Sequence, residues 1–256
     1  MKVSNSCRFP EYLSNGEPKG DLLRHIELVL DEWNILHDCY INQVTRVLNS
    51  VLSQKVDADY IDKIIKLMLI LHDYGKLAEA YINTRGYLHE ILGSYIALKI
   101  NAEEILKRIV SSAIFLHHEH RIYRAISYNR TAGLNISVIL FLLGRFPERI
   151  RIQTNANECL WRVIKRENIE NLLGKNILKD EYEKSELQKG LMELMKLEQR
   201  GGYKLYFAVG LLNHILVICD IRAAYKSRED QSKRLSKYFN IVINGGRLCK
   251  RKRMYL

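Results

Sequence analysis

The dipeptide His72-Asp73 places an imidazole beside a carboxylate at the end of a strongly apolar stretch, KLMLILHDYGK. Ionisable side chains are costly in such surroundings unless they are paired or bind a metal. Imidazole with carboxylate suits Fe, Mn, Co, Ni or Zn, and carboxylate with water suits Mg. A His-Asp pair often arises by chance, so the dipeptide alone favours a structural role, and its sequence context has to be considered.

Gly75 and Lys76 follow the pair and complete the sequence HDYGK. A glycine at this point ends a helix and lets the backbone turn away, which would aim the Lys76 ammonium toward His72 and Asp73. A point charge beside a metal helps to hold a phosphate. Alternatively, the positive charge of Lys76 interacts with the negative end of the helix dipole at the C-terminus of the helix. The residues alone leave both interpretations open.

Further histidines and one carboxylate lie on other predicted helices. Taken singly, each is more often a packed or surface residue than a ligand. Asp220 interrupts an apolar helix, where an unpaired carboxylate would be costly. Together with His72-Asp73 these residues could form a metal site. The candidates are His25, His89, His117, His118 and Asp220.

A second His-Asp pair, His37-Asp38, could supply the first ligand in place of His25. It is followed by Cys-Tyr rather than by a Gly-Lys turn, and the LxxH context of His25 and its spacing to His72 favour His25. His214 is on the helix of Asp220 but off its face, and it is interpreted as structural.

The order of the candidates, with its tandem histidine pair, resembles the H…HD…H…HH…D signature of HD-superfamily phosphohydrolases. It looks most like the HD nucleases of type I CRISPR systems, in the stand-alone form that lacks a helicase. The segments LLRHIELV, LHDYGK, LHE, LHH and GLL…CD carry the match. Simple one-metal HD enzymes use a shorter H…HD…D set. The sequence around Asp220 departs from the family, because Ile-Arg follows it where Ala-Ser is common.

The resemblance implies two divalent ions, which could be Mn, Mg, Co, Ni or Fe. The first would be bound by His25, His72, Asp73 and Asp220. The second would be bound by His89, His117 and His118, with Asp73 bridging the two ions. Asp73 and Lys76 would be the catalytic residues, with Lys76 assisting at the phosphate. Two such ions activate water and stabilise charge on the attacked phosphate.

The resemblance also implies cleavage of single-stranded DNA, with R-loop, flap or RNA substrates as further candidates. Because no Walker A loop is present, the enzyme would act without ATP. It would work in CRISPR interference with a separate helicase subunit and a crRNA-guided surveillance complex. One alternative is an HD phosphohydrolase that acts on free nucleotides. The other is a nucleic-acid-binding adaptor with a degenerate HD site.

Positioning these side chains requires long helices, and only three prolines interrupt the chain. Apolar residues at helical spacing predict an all-α fold, an HD-domain helical bundle, with a short C-terminal β-hairpin around Asn-Gly-Gly in 238–256. Asp21 and the segment 57–59 would begin the first two helices, and Asn101 would cap a helix over 102–118. The predicted helices cover 22–52, about 57–75, 88–100, 102–118, 136–146, parts of 156–174, 180–199 and 205–228.

The predicted HD domain covers residues 1–230, and residues 231–256 form a basic C-terminal extension. From residue 222 to 256 the chain has eleven Lys or Arg against two acids, out of a net charge of +11. Such a concentration attracts phosphate polyanions, although a solvated tail or a protein-docking segment is the alternative. The candidate nucleic-acid-binding residues are Lys250, Arg251, Lys252 and Arg253.

Charged or polar residues interrupt every long apolar stretch, so we expect no membrane association. The start of the chain lacks the pattern of a signal peptide, and we expect a cytoplasmic protein. The five cysteines are odd in number and widely spaced, without a zinc-ribbon pattern. Cys39, Cys159 and Cys219 have apolar neighbours and are interpreted as small buried hydrophobic residues.

Overall fold

The structure is a computed structural model, and it describes residues 7–12, 18–83, 89–118, 143–144, 146–198 and 203–227. Helices dominate these residues, which confirms the predicted all-α class. They are α1 (Leu22–Asn49), α2 (Ala58–Leu71), α3 (Glu79–Asn83), α4 (His89–Ala97), α5 (Glu104–Phe115), α6 (Ala156–Arg166), α7 (Lys184–Glu198) and α8 (Tyr203–Ser227). Two small antiparallel sheets pair β1 (Pro10–Tyr12) with β2 (Pro18–Asp21), and β3 (Arg149–Arg151) with β4 (Glu181–Glu183). The predicted C-terminal hairpin and extension lie outside the described residues.

The first two helices begin at aspartates, as predicted. The Asp21 carboxylate accepts a hydrogen bond from the Leu23 backbone N–H at 3.1 Å, and the Asp57 carboxylate accepts one from Tyr60 at 2.8 Å. Each cap satisfies a donor that the first turn of a helix leaves unpaired. These caps fix where α1 and α2 start, and therefore which of their residues face the core.

The core is formed where α1 packs against α2 and α8, and α5 packs against α4 and α8. Trp33 of α1 is fully buried, and its indole N–H donates to Asp62 of α2 at 2.7 Å. Glu32 of α1 is also fully buried and forms ion pairs with Arg222 and Lys226 of α8. Apolar burial and these polar contacts hold α1, α2 and α8 together along one side of the bundle.

Helix α8 is, among the described residues, long and apolar enough to cross a membrane by length and composition alone. In the fold it packs against α1 and α5. Leu205, Leu212, Leu216 and Cys219 are buried there. A central core helix needs the same apolar composition, so packing inside the bundle accounts for the hydropathy of α8.

Two local predictions were wrong. Asn101 does not cap a helix, because α5 begins only at Glu104 and the Asn101 backbone N–H donates to the Leu172 carbonyl at 2.7 Å. The predicted helix at 180–199 begins with strand β4, which pairs with β3. The helix predicted within parts of 156–174 is confirmed as α6, and a short 3-10 turn follows it. The predicted helix at 136–146 lies largely outside the described residues.

The interpretation of Cys159 as a simple hydrophobic residue was wrong. Cys159 of α6 forms a disulfide with Cys7; their Cα atoms are 5.7 Å apart, and they are 152 positions apart in sequence. Cys39 is likewise in a disulfide. Cys219 is a free buried thiol, as predicted. The disulfide between Cys7 and Cys159 therefore joins the segment before α1 to α6.

Candidate metal centre

The turn that carries His72 and Asp73 is set by close backbone packing. Helix α2 ends at Leu71, and a 3-10 turn begins at Tyr74. A Cβ atom on Gly75 would collide with the backbone of His89. Only glycine therefore lets the turn touch the start of α4. This contact places His89, more than a dozen residues further along the chain, beside Asp73.

One group of candidate ligands comes from α1 and the end of α2. Ligand atoms of His25, His72 and Asp73 all lie within 4.8 Å of one another, and all three side chains are buried. We call these residues the HHD group. Asp220 of α8 borders it, with Oδ1 2.9 Å from His25 Nε2 and 3.9 Å from His72 Nε2. Residues 195 positions apart in sequence thus meet at one point.

A second group comes from the start of α4 and the end of α5. Ligand atoms of His89, His117 and His118 lie within 4.8 Å of one another. We call them the triple-histidine group. Nε2 of His89 and Nε2 of His118 are 3.2 Å apart. Two imidazole nitrogens this close suit a shared proton or a shared cation.

Asp73 faces both groups. Its Oδ1 lies 3.2 Å from His89 Nε2, and its Oδ2 lies 3.3 Å from His72 Nε2 and 3.7 Å from His25 Nε2. The Lys76 ammonium donates to the same Oδ2 at 2.7 Å. Lys76 is buried with only 8% of its surface exposed, so its charge is directed at the site and not at solvent.

Backbone carbonyls orient two of the imidazoles. His72 Nδ1 is 2.7 Å from the Leu69 carbonyl, and His117 Nδ1 is 2.5 Å from the Ile114 carbonyl. Because a carbonyl can only accept, each Nδ1 carries a proton, and in the neutral form of each imidazole Nε2 is left with a lone pair. The same arrangement fixes the orientation of metal-binding histidines in proteins.

Several ligand atoms are buried without a hydrogen-bond partner among the described residues. They include His72 Nε2, His117 Nε2 and Asp73 Oδ1. A buried polar atom left unpaired costs free energy that a bound cation would recover. Nitrogen and carboxylate donors of this kind suit a first-row divalent metal. The residues therefore fit a metal centre of the kind that the sequence predicts.

Protonation states also suit cation binding. Burial, with the nearby His72 and His89, lowers the pKa of His117 to about 3, so this imidazole is neutral near pH 7. Burial alone would raise the pKa of Asp73, but the charges of His72 and Lys76 hold it well below its usual range. Burial likewise opposes ionisation of Asp220, and its hydrogen bond with His25 outweighs this and lowers its pKa. A lone-pair nitrogen and two ionised carboxylates are thus available.

The remaining sequence candidates lie elsewhere. His37 is on a partly exposed part of α1, where its Nδ1 lies 2.9 Å from Asp38, and it belongs to neither group. The ring of His214 lies against Tyr40. The basic residues 250–253 are outside the described residues. Sequence reasoning missed Glu90, a fully buried carboxylate next to His89; its signal is a glutamate inside the otherwise apolar segment LHEILGSYIALKI.

The fold is that of an HD-domain protein. The CRISPR-associated Cas3 HD domain protein from Methanocaldococcus jannaschii superimposes with a TM-score of 0.58 at 21% identity, over 85% of this chain and 100% of that one. The predominantly helical content of the described residues agrees with this assignment. The predicted HD-domain bundle is therefore confirmed.

The particular similarity is to curated proteins named CRISPR-associated endonuclease Cas3-HD. That of M. jannaschii is 26% identical over 86% of this chain and 91% of its own length, and that of Pyrococcus furiosus is 27% identical over 88% and 97%. The Thermoproteus tenax protein is 48% identical over 61 residues, which cover 23% of this chain and 26% of its own length. No family model matches the chain. The resemblance to CRISPR-associated HD nucleases is thus confirmed along most of the sequence.

Proposed function

We propose that this chain is a metal-dependent nuclease that cleaves single-stranded DNA in CRISPR interference, without ATP and together with a separate helicase. The single observation that carries the proposal is the meeting of the HHD and triple-histidine groups around Asp73. The similarity to Cas3-HD endonucleases supports a nucleic acid, and not a small metabolite, as the substrate.

We propose two divalent ions, one at each group, with Asp73 between them and Asp220 completing the first. Ions bound there supply Lewis acidity, which lowers the pKa of water and neutralises charge on a phosphodiester. His72 and His117 present Nε2 toward the centre because their Nδ1 protons are held by carbonyls. His25 Nε2 and Asp220 Oδ1 lie 2.9 Å apart, close enough for both atoms to reach one ion.

Lys76 is proposed to stabilise the phosphate. Its ammonium lies against Asp73, and from there a small rotation of the side chain would let it donate to a phosphate oxygen. A buried ammonium stabilises an oxyanion more strongly than a solvated one does, because the local dielectric is lower. No protein nucleophile is required.

Substrate access is supported by the edge of the centre. Asp220 keeps 23% of its side chain exposed, while His25 and Asp73 beside it keep 1% each. His118 is also partly exposed. We propose that the phosphodiester of a polymer reaches the centre at these exposed side chains, whereas a free-nucleotide enzyme needs a closed pocket.

The decisive test compares cleavage of single-stranded DNA with hydrolysis of free nucleotides. Purified protein with Mn²⁺, Co²⁺, Ni²⁺ or Mg²⁺ is expected to degrade circular and linear single-stranded DNA without ATP. Asp73→Ala is expected to abolish cleavage while circular dichroism stays unchanged. Hydrolysis of nucleotides with no polymer cleavage across these metals would identify a nucleotide phosphohydrolase instead.

The partners are proposed on weaker grounds, the resemblance and the charge of residues 222–256. This segment is proposed to bind DNA or the surveillance complex, with Lys250, Arg251, Lys252 and Arg253 as phosphate contacts. Removing residues 231–256 is expected to weaken binding more than chemistry and to flatten the salt dependence of binding. Unchanged salt-dependent binding to DNA and to the complex would contradict this role.

A further inference from the structure

Two glutamates are fully buried among the described residues, and their surroundings differ. Glu32 forms ion pairs with Arg222 and Lys226. Glu90 is equally buried, yet neither of its carboxylate oxygens has a hydrogen-bond partner among the described residues. A buried carboxylate without a partner is strongly unfavourable. We therefore expect Glu90 to have an interaction that the metal-free protein does not form.

The imidazole of His89 lies beside the Glu90 carboxylate. His89 Nδ1 lies 3.6 Å from Glu90 Oε2, and this nitrogen is itself buried without a partner. That distance is too long for a hydrogen bond but needs only a few tenths of an ångström to close. The other nitrogen, Nε2, faces Asp73 and His118. The imidazole therefore stands between the metal centre and Glu90.

A simpler role for Glu90 would be to balance the positive end of the α4 dipole, since it lies in the first turn of α4. Such acidic residues are favoured at helix starts chiefly where they face solvent or accept backbone N–H bonds. Glu90 is fully buried and accepts none within the described part of the chain. The dipole alone does not explain why this side chain turns inward.

We infer that Glu90 is a positioning residue for the triple-histidine group: its carboxylate accepts a hydrogen bond from His89 Nδ1–H and holds Nε2 toward the cation. This rests on the proposed function, because the bond matters only if His89 binds a metal. His72 and His117 have carbonyls at their Nδ1 atoms, and His89 has Glu90. A carboxylate acceptor makes the imidazole a stronger donor to a cation than a carbonyl does.

Glu90→Gln and Glu90→Ala test the inference when Co²⁺ binding is followed by calorimetry and by visible absorption. Glu90→Ala removes the acceptor and is expected to weaken the second Co²⁺ by about 10–100-fold. Glu90→Gln keeps a carbonyl oxygen at nearly the same place and is expected to lose less. The Tm of metal-free Glu90→Gln should equal or exceed that of the wild type, since an unpaired buried carboxylate is gone.

Ser94→Ala is the matched control, since Ser94 lies on the same helix and is buried, but its hydroxyl faces Ser111. It should lower the metal-free Tm without changing Co²⁺ affinity. Glu90 variants that behave the same way would show that Glu90 is merely structural, which overturns the inference.

A double-mutant cycle separates this inference from the proposed function. In a His117→Ala background, which removes the triple-histidine ion, Glu90→Ala should have no further effect on Co²⁺ binding. An undiminished effect in that background would place the action of Glu90 elsewhere and overturn the inference. If the Co²⁺ titration of His117→Ala is the same as that of the wild type, the triple-histidine group does not bind a second ion. That part of the proposed function would then be wrong, and the role inferred for Glu90 would be wrong with it.

Discussion

The HHD group and the triple-histidine group share Asp73 but are built from different parts of the fold. The HHD group lies between the long helices α1, α2 and α8, and Asp220 supplies it with a second carboxylate. The triple-histidine group lies at the start of α4 and the end of α5, and its three members are all imidazoles. Packing of long helices positions the HHD group, whereas the triple-histidine group lies where shorter helices begin and end.

This difference has a chemical consequence. Asp220 pairs with His25 even without a cation, so the HHD group is partly satisfied in the metal-free protein. The imidazoles of the triple-histidine group face one another, and Asp73 is the carboxylate that this group shares with the HHD group. We therefore expect hard, oxygen-preferring cations at the HHD group and nitrogen-preferring cations at the triple-histidine group.

The largest effect on the metal centre is expected from Asp73→Asn, because Asp73 faces both groups. The amide is the same size but carries no charge, so affinity for both ions should fall. Bound ions stabilise the transition state of cleavage by several kcal/mol, so their loss should lower the cleavage rate by about 1000-fold or more. Calorimetric cation titration and cleavage of single-stranded DNA measure the two effects. Wild-type affinity for either ion would show that Asp73 does not bridge the groups.

Asp220→Asn and His117→Ala form a matched pair with the next largest effect. Asp220→Asn should remove the HHD ion and spare the other, and His117→Ala should do the reverse. Elemental analysis after dialysis against Mn²⁺ or Ni²⁺ gives the stoichiometry for each variant. Simultaneous loss of both ions from either variant would show that the two groups act as one site.

The sequence allowed much of this arrangement to be predicted, because its signals are local. Asp21 and Asp57 each precede an apolar helical pattern, and both cap their helices. The candidate ligands interrupt apolar segments where ionisable residues need a partner. The structure brings His25, Asp220 and the rest together, although their role as ligands stays a prediction.

What the sequence could not predict depends on contacts between distant segments. Strand β4 was taken for helix because its partner β3 lies about thirty residues earlier, and a three-residue pairing leaves no periodic pattern. The disulfide of Cys7 with Cys159 was missed because connectivity is not encoded by spacing. The isolation of Glu90 is visible only once the side chains around it are placed.

A smaller effect on the centre is expected from Arg222→Leu, which acts only on the HHD side. Arg222 donates to buried Glu32 and so joins α8, which carries Asp220, to α1, which carries His25. The variant removes one of the two ion-pair partners of the buried Glu32 carboxylate, which should lower the free energy of unfolding by about 3 kcal/mol. The HHD ion should weaken more than the triple-histidine ion. Urea denaturation and cation titration measure these changes.

Arg166→Leu is the control for this prediction. Arg166 pairs with Glu27 at 2.7 Å on the exposed side of the bundle, where an ion pair contributes only about 0–1 kcal/mol. If both arginine variants lose the same small stability and leave cation binding unchanged, the Glu32 pair does not support the HHD group.

The smallest effect on the centre is expected from breaking the disulfide with Cys7→Ser. The disulfide anchors the segment before α1, in which the Phe9 carbonyl accepts from the Leu22 backbone N–H at 2.8 Å, one turn before His25. Its loss should lower stability by about 2–5 kcal/mol, because the unfolded chain gains freedom. Packing of α1 against α2 and α8 still holds His25, so cation affinity should fall only slightly, and only at the HHD group. Thermal denaturation and cation titration check this, and equal weakening at both groups would show that the triple-histidine group also depends on the α1 side of the bundle.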